Sequence, residues 1–131
     1  MLAKLNQLIS DGEGLATEFK RCESELSSSV YETVSAFSNR YGGYILLGVE
    51  DDGTVSGVNP KTVSNMKKDF VSSLNNSYRF APTIFLALEE AEIDGKTILS
   101  STPEKCNYFD TKIEYIIENV ANWMKYGFIF D

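Results

Sequence analysis

Apolar residues recur at every third or fourth position in several stretches of the chain, which is the spacing of an amphipathic helix. One helix is predicted near the amino terminus, and a second begins at a capping box formed by Ser29 and Glu32. A third follows Asn59 and a fourth follows Asp110. The predicted apolar faces are, in chain order, Leu2, Leu5, Leu8 and Ile9; Val30, Val34, Phe37 and Tyr41; Val63, Met66, Phe70 and Leu74; and Ile113, Ile116, Ile117, Val120 and Met124.

Strand-like stretches separate these helices, and two of the turns between them carry glycine. The tight turns are Asp51-Asp52-Gly53 and Asp94-Gly95. Helices and hairpins alternate without the regular rhythm of a doubly wound sheet, so the pattern predicts an α+β fold with a mixed or antiparallel sheet and three to four packed helices. A length of 131 residues fits one domain over residues 1–131. The predicted strands are residues 15–20, 44–50, 54–58, 82–93 and 96–101.

The composition of the chain excludes several kinds of catalytic and metal-binding site, but it says little about the fold. The chain contains no histidine, and its two cysteines have no metal-binding spacing, so histidine-based nucleophilic pairs and the usual zinc sites are excluded. The amino terminus lacks the apolar stretch of a signal peptide, and no long apolar run predicts a membrane span. Together with unpaired cysteines, these features predict a cytoplasmic protein with no membrane partner.

The net charge of −7 is unevenly distributed along the chain. Residues 1–80 carry eight basic and ten acidic side chains, whereas residues 81–131 carry four basic and nine acidic ones. Phosphate contacts need Lys and Arg, so a nucleic-acid-binding surface is expected only in the first part.

Four short segments stand in a fixed order between residues 13 and 58: EGLATEFK at 13–20, SAFSNRYGG at 35–43, LGVEDDG at 47–53 and VSGV at 55–58. In order and spacing they resemble the Schlafen AlbA-like domain, found in bacterial regulators classed as DNA-binding and in animal Schlafen proteins. The resemblance covers residues 8–101 and leaves residues 102–131 as an unassigned segment with a predicted helix. It implies an AlbA-like fold and a nucleic-acid-binding module, for DNA or RNA, of a transcriptional-regulator-like protein.

The same resemblance implies a catalytic carboxylate cluster. Active Schlafen domains cut RNA with two glutamates spaced like Glu13 and Glu18 and a later acid, here Glu50 or Asp51. Clustered carboxylates bind Mg²⁺ or Mn²⁺, and Glu13, Glu18 and Asp51 would be the ligands. The alternative is that Glu18 pairs with Lys20 and the aspartates only form the turn.

Two further groups are candidates for contact with phosphate. Asn39, Gly42 and Gly43 could offer backbone N–H groups to an anion, or could simply join a helix to a strand. No GxxxxGK[ST] loop exists, so the sequence gives ATP binding no support. The basic candidates, which could equally be solvated on helix faces, are Lys20, Arg21, Arg40, Lys61, Lys67 and Lys68, with Arg79 nearby in sequence.

The predicted last helix, residues 110–125, is unusually apolar and also carries Trp123. It could pack on its own core or form a homodimer interface. Three functions therefore stay open at this point: a nucleic-acid-binding module, a Mg²⁺- or Mn²⁺-dependent endoribonuclease, and a non-catalytic interaction or oligomerisation domain.

Overall fold

The computed structural model describes residues 2–104 and the backbone of residues 114–115. Its helices are α1 (Leu2–Asp11), α2 (Ser28–Ser38) and α3 (Val63–Leu74), the last preceded by one 3₁₀ turn at Pro60–Thr62. Its strands are β1 (Thr17–Lys20), β2 (Tyr44–Leu47), β3 (Phe80–Ala81), β4 (Glu89–Ile93), β5 (Lys96–Ser101) and β6 (Glu114–Tyr115).

The main sheet has four strands in the order β1-β2-β5-β4. Strands β1 and β2 are parallel neighbours joined through α2, while β5 pairs antiparallel with both β2 and β4. The sheet is therefore mixed, and the predicted α+β class is confirmed. The predicted Asp94-Gly95 hairpin is also confirmed, since both residues have positive φ between β4 and β5.

Helices cover both faces of this sheet. Helices α2 and α3 pack on one face, where Val34, Phe70, Ile45 and Leu99 are fully buried in the larger apolar cluster. Helix α1 packs on the other face through Leu5 and Leu8, against a smaller cluster formed by Phe19, Leu46, Val49, Ile93 and Ile98. Alternate residues of β2 enter opposite clusters, as the two-residue period of a strand requires. Most of the apolar faces predicted for these three helices thus form the two cores. The prediction is wrong for Leu2 and Tyr41, which are exposed, and Tyr41 lies beyond the end of α2 at Ser38.

Strand β2 is shorter than the predicted 44–50 run because Gly48 leaves the extended conformation. Its φ is 94°, and its carbonyl accepts the backbone N–H groups of Ser56 and Gly57 at 2.9 and 2.8 Å. The following stretch, predicted as a strand over 54–58, therefore makes only one bridge to this strand, between Val49 and Val55. This return segment fixes the turn that carries Asp51.

Two other local predictions are wrong. Helix α2 begins two residues earlier than predicted, with Ser27 and not Ser29 at its cap, and the Ser29 hydroxyl bonds to that of Ser27 instead of forming a capping box. Residues 82–88 are not a strand, because Ile84 donates its N–H to the Leu74 carbonyl at the end of α3. That bond ties the segment to α3 and the larger core rather than to a sheet partner.

The predicted helix over residues 110–125 lies outside the described residues except at 114–115. There the backbone forms β6, which pairs antiparallel with β3, so the helical prediction is wrong at those two positions. Pairing with the exposed backbone groups of a neighbouring strand supplies bonds that a helical turn would otherwise make. Across the described ranges, no helix has the length and apolar character needed to cross a membrane.

Candidate nucleic-acid interface

The carboxyl ends of the parallel strands β1 and β2 bring together the charged residues singled out in the sequence. Lys20 and Arg21 end and follow β1, and Glu50 and Asp51 follow β2 by a few residues. The turn after β2 is closed by hydrogen bonds from Gly53 N to Glu50 O at 2.9 Å and from Glu50 N to Thr54 O at 2.8 Å. The predicted turn at residues 51–53 is confirmed.

Glu13 reaches this end of the sheet because its segment folds back along β1. Gly14 and Thr17 form an antiparallel bridge, with a 3.0 Å hydrogen bond from Gly14 N to Thr17 O. This places Glu13 beside Glu18, and the Asp51 carboxyl is also close enough to raise the pKa of Glu13. Three of the four acids singled out in the sequence therefore share one neighbourhood.

The electrostatics of Glu13 reflect that crowding. The pKa of Glu13 is raised above its ordinary value of 4.5, and the largest cause is the partial loss of surrounding water. This holds even though most of the Glu13 surface is exposed. The charge of Glu18, the hydrogen bond with Asp51 and the charge of Asp51 raise this pKa further, and Lys20 opposes them. The nearby acidic side chains therefore favour the protonated form of Glu13.

The other acids are partnered by cations or by backbone. Lys20 lies 3.5 Å from a Glu18 oxygen, and Arg21 lies 3.7 Å from a Glu50 oxygen. Asp52 Oδ1 accepts the Thr54 N–H at 2.9 Å, which lowers the pKa of Asp52 and fixes the turn. Among residues 2–104, no group of three acidic or cysteine side chains is arranged to hold a metal ion. The Mg²⁺ or Mn²⁺ site that the family resemblance implies stays a prediction.

The basic candidates are not gathered on one surface. Lys20 and Arg21 lie at the carboxyl end of β1, and Lys61 is close by, because Asn59 donates its N–H to the Glu23 carbonyl at 2.7 Å. Arg40 follows α2 at the opposite end of the sheet, where its guanidinium stands 5.9 Å from the Phe37 ring centroid.

The two lysines of α3 lie elsewhere. Lys67 pairs with Glu90 at 2.8 Å on β4, the opposite edge strand from β1. Strands in a sheet are about 4.8 Å apart, so β4 lies about 14 Å from β1. Lys68 is exposed on the same helix. One phosphate surface containing all six cations is therefore not formed.

The predicted anion pocket at Asn39, Gly42 and Gly43 is corrected by the hydrogen bonding of these residues. Their N–H groups donate to the carbonyls of Ser35, Phe37 and Pro103, respectively, at 3.0, 2.8 and 2.9 Å. A Cβ at Gly43 would stand 2.7 Å from the Phe37 ring and 2.8 Å from the Ala16 carbonyl. The glycine is thus needed where α2, β1 and β2 meet, and the three N–H groups are not free to bind an anion.

One feature of this end of the sheet was not singled out by sequence reasoning. Two hollows of about 300 and 340 Å³ flank the Tyr44 ring and share Thr102, with the exposed Tyr41 on one side and Lys4 on the other. The tyrosines are visible in the sequence, but their place beside these hollows is not. The strand register that sets Tyr44 opposite the end of β5 is a tertiary property.

Comparison with known proteins agrees with this architecture. The chain is similar to the N-terminal domain of a RecG-related protein from Nitrosomonas europaea, with 26% identity and a TM-score of 0.66 over 88% of this chain and 80% of that one. It also shares its fold with the DIP2311 protein from Corynebacterium diphtheriae, with 10% identity and a TM-score of 0.53. That match covers 99% of this chain and 33% of the other. No curated protein is significantly similar in sequence.

The sequence profile of one family matches residues 13–122, which includes the carboxylate cluster, the main sheet and residues beyond the predicted limit at 101. The chain belongs to the Schlafen AlbA_2 family.

Proposed function

We infer that this domain binds nucleic acid through its sugar-phosphate backbone and serves a regulator-like protein as its nucleic-acid contact. The proposal rests on Lys20 and Arg21 at the carboxyl end of β1 and on Lys61, whose segment is joined to the residues after β1 by the hydrogen bond from Asn59 N to Glu23 O. Ligands commonly bind at the carboxyl ends of parallel strands, because the loops that follow the strands meet there.

Arg21 is the cation best placed for a phosphate. Its side chain is 72% exposed, and its contact with Glu50 is long at 3.7 Å. An exposed ion pair of this kind contributes at most about 1 kcal/mol, so Arg21 can exchange the carboxylate for a phosphate oxygen at little cost. Guanidinium also suits the planar, two-pronged recognition of phosphate.

The relatives support the same class of partner. The family as a whole and the neighbour described as RecG-related both indicate a nucleic-acid-related domain. The acidic net charge of −7 opposes diffuse attraction to nucleic acid, which makes a local cationic contact the more necessary.

A matched pair of variants tests the location of this contact. We expect Arg21→Gln to weaken the binding of labelled tRNA, single-stranded RNA and duplex DNA several-fold at low salt, because one phosphate contact is lost. Lys67→Gln removes an equal charge at the β4 edge and is expected to leave affinity unchanged. Fluorescence anisotropy measures both. Equal loss in the two variants would place the contact elsewhere.

RNA cleavage is a second candidate function, favoured by the convergence of Glu13, Glu18 and Asp51. If these carboxylates act on RNA, labelled tRNA will be cut in the presence of Mn²⁺, and the cut will disappear with chelator and in Glu18→Ala. Binding should persist in that variant or strengthen, because a negative charge is removed. Intact tRNA after long incubation with Mn²⁺ would eliminate this candidate.

A further inference from the structure

The end of the sheet opposite the carboxylate cluster carries an aromatic surface that the proposed function does not use. Tyr41 is 88% exposed, directly after Arg40 and before the glycine pair that leads into β2. Tyr44 begins β2 and is half-buried, with the Lys4 ammonium 5.1 Å from its ring centroid. Exposed aromatic side chains beside cations favour a ligand that has both flat rings and negative charge.

The two hollows beside these residues are adjacent, because Tyr44 and Thr102 line both of them. The hollow of about 300 Å³ lies between Tyr41, Tyr44 and Thr102, and the hollow of about 340 Å³ continues past Tyr44 to Lys4 and Ser100. The tyrosine groove is defined here by Lys4, Tyr41, Tyr44, Ser100 and Thr102. Each hollow is at the lower end of the range for ligand pockets, about 300–1,000 Å³, which suits one base at a time.

The chemistry of the groove distinguishes single-stranded nucleic acid from other partners. Tyr rings stack on any unpaired base, and Lys4 and Arg40 supply charge for the connecting phosphates. Hydroxyl groups of Ser100 and Thr102 can bond base edges, while Glu104 on the rim accepts from exocyclic amino groups. A duplex, whose bases are already stacked, cannot use these rings.

The groove and the cationic end lie along the same edge of the sheet. Ala16, on the groove, precedes β1, and Lys20 ends it. Four residues of strand span about 13 Å, so one short strand of nucleic acid running beside β1 reaches both places.

We propose that the tyrosine groove binds unpaired bases of single-stranded RNA or DNA, with Tyr41 and Tyr44 as stacking platforms and Lys4 and Arg40 as phosphate contacts. This inference rests on the proposed nucleic-acid binding and specifies the form of nucleic acid that is bound.

The test compares a labelled oligonucleotide of about 15 nucleotides with an abasic strand of the same length and backbone. We expect wild-type protein to bind the strand with bases more tightly, and Tyr41→Ala to lose about fivefold or more of that affinity. Tyr41→Trp should retain binding. Tyr78→Ala, which removes a tyrosine that is 85% exposed and outside the groove, is the matched control and should bind as wild type does.

The salt dependence of binding separates the contribution of Lys4 from that of Tyr41. Lys4→Gln should flatten the slope of log affinity against log salt by about 0.7, whereas Tyr41→Ala should lower affinity with the slope unchanged. Circular dichroism of each variant verifies folding, and Tyr41 is so exposed that its replacement should not disturb the core.

Some results would contradict base stacking in the tyrosine groove but leave the proposed function standing. One is that Tyr41→Ala binds as tightly as wild type, and another is that the protein binds duplex alone. Equal binding of the abasic and base-containing strands would do the same. Failure of wild-type protein to bind any nucleic acid at low salt would instead reject the proposed function itself, and would favour a protein partner for this aromatic surface.

Discussion

The pKa of Glu13 depends on side chains that the fold brings close to it. It lies before β1, yet it meets Asp51 from the turn after β2, because the segment at Gly14 folds back along the strand. The folded state therefore binds the Glu13 proton more tightly than the unfolded chain does. The free energy of unfolding consequently falls as pH rises from the ordinary carboxyl range through the raised pKa of Glu13.

This linkage predicts that Glu13→Gln gains stability relative to wild type as pH rises. The amide carries no charge and can still donate to Asp51, so the variant avoids the repulsion that ionised Glu13 suffers. The difference in melting temperature, variant minus wild type, should grow between about pH 4 and pH 7. A difference that stays constant over this range would contradict a raised pKa of Glu13 in the folded state.

Sequence reasoning could select Glu13, Glu18 and Asp51 because the family resemblance placed them in matching segments. It could not show that they meet, since that depends on the fold-back before β1. It also could not show that Lys20 and Arg21 would each lie within 4 Å of a carboxylate.

At the scale of elements, the junction of α2 with β2 sets the geometry of the groove. Gly43 sits between the Phe37 ring and the Ala16 carbonyl, and its N–H bonds to Pro103 after β5. Three elements thus converge on one residue without a side chain, which positions Tyr41 and Tyr44 on either side of it.

Replacing this glycine should disturb the junction. Gly43→Ala places a Cβ 2.7 Å from the Phe37 ring, and we expect it to lower the free energy of unfolding by about 1–3 kcal/mol. Gly14→Ala is the control, because nothing lies within 4 Å of its added Cβ, and it should change stability by less than about 0.5 kcal/mol. Urea denaturation measures both, and equal losses would show that close packing at Gly43 is not the cause.

Helical spacing predicted α1, α2 and α3 because each buries one face on the sheet, and that face follows directly from the period of 3.6 residues. Strand lengths were harder to predict. The 44–50 run is apolar throughout, yet Gly48 turns out of the strand to meet Gly57, a contact made by residues nine positions apart. The pattern of apolar and polar residues does not reveal the close contact between Gly48 and Gly57. Nor does it reveal the hydrogen bond between Ile84 and Leu74 in the segment that was predicted to be a strand.

For the molecule as a whole, the net charge opposes nucleic-acid binding, whereas local cationic side chains favour it. A net charge of −7 repels nucleic acid at a distance, while Arg21, Lys61 and Lys4 offer local contacts at two ends of one sheet edge. We therefore expect nucleic-acid binding to depend on short-range contacts, with base stacking adding to a small number of phosphate contacts. Composition alone would have favoured a protein-interaction domain.

The most direct test of nucleic-acid binding is an anisotropy titration of wild-type protein against labelled single-stranded RNA, at several salt concentrations between about 50 and 200 mM. We predict saturable binding whose log affinity falls linearly with log salt, with a slope of about −2 if Lys20, Arg21 and Lys61 each contact one phosphate, and of about −3.5 if Lys4 and Arg40 do so as well. Absence of binding at the lowest salt, or binding that does not respond to salt, would contradict the account.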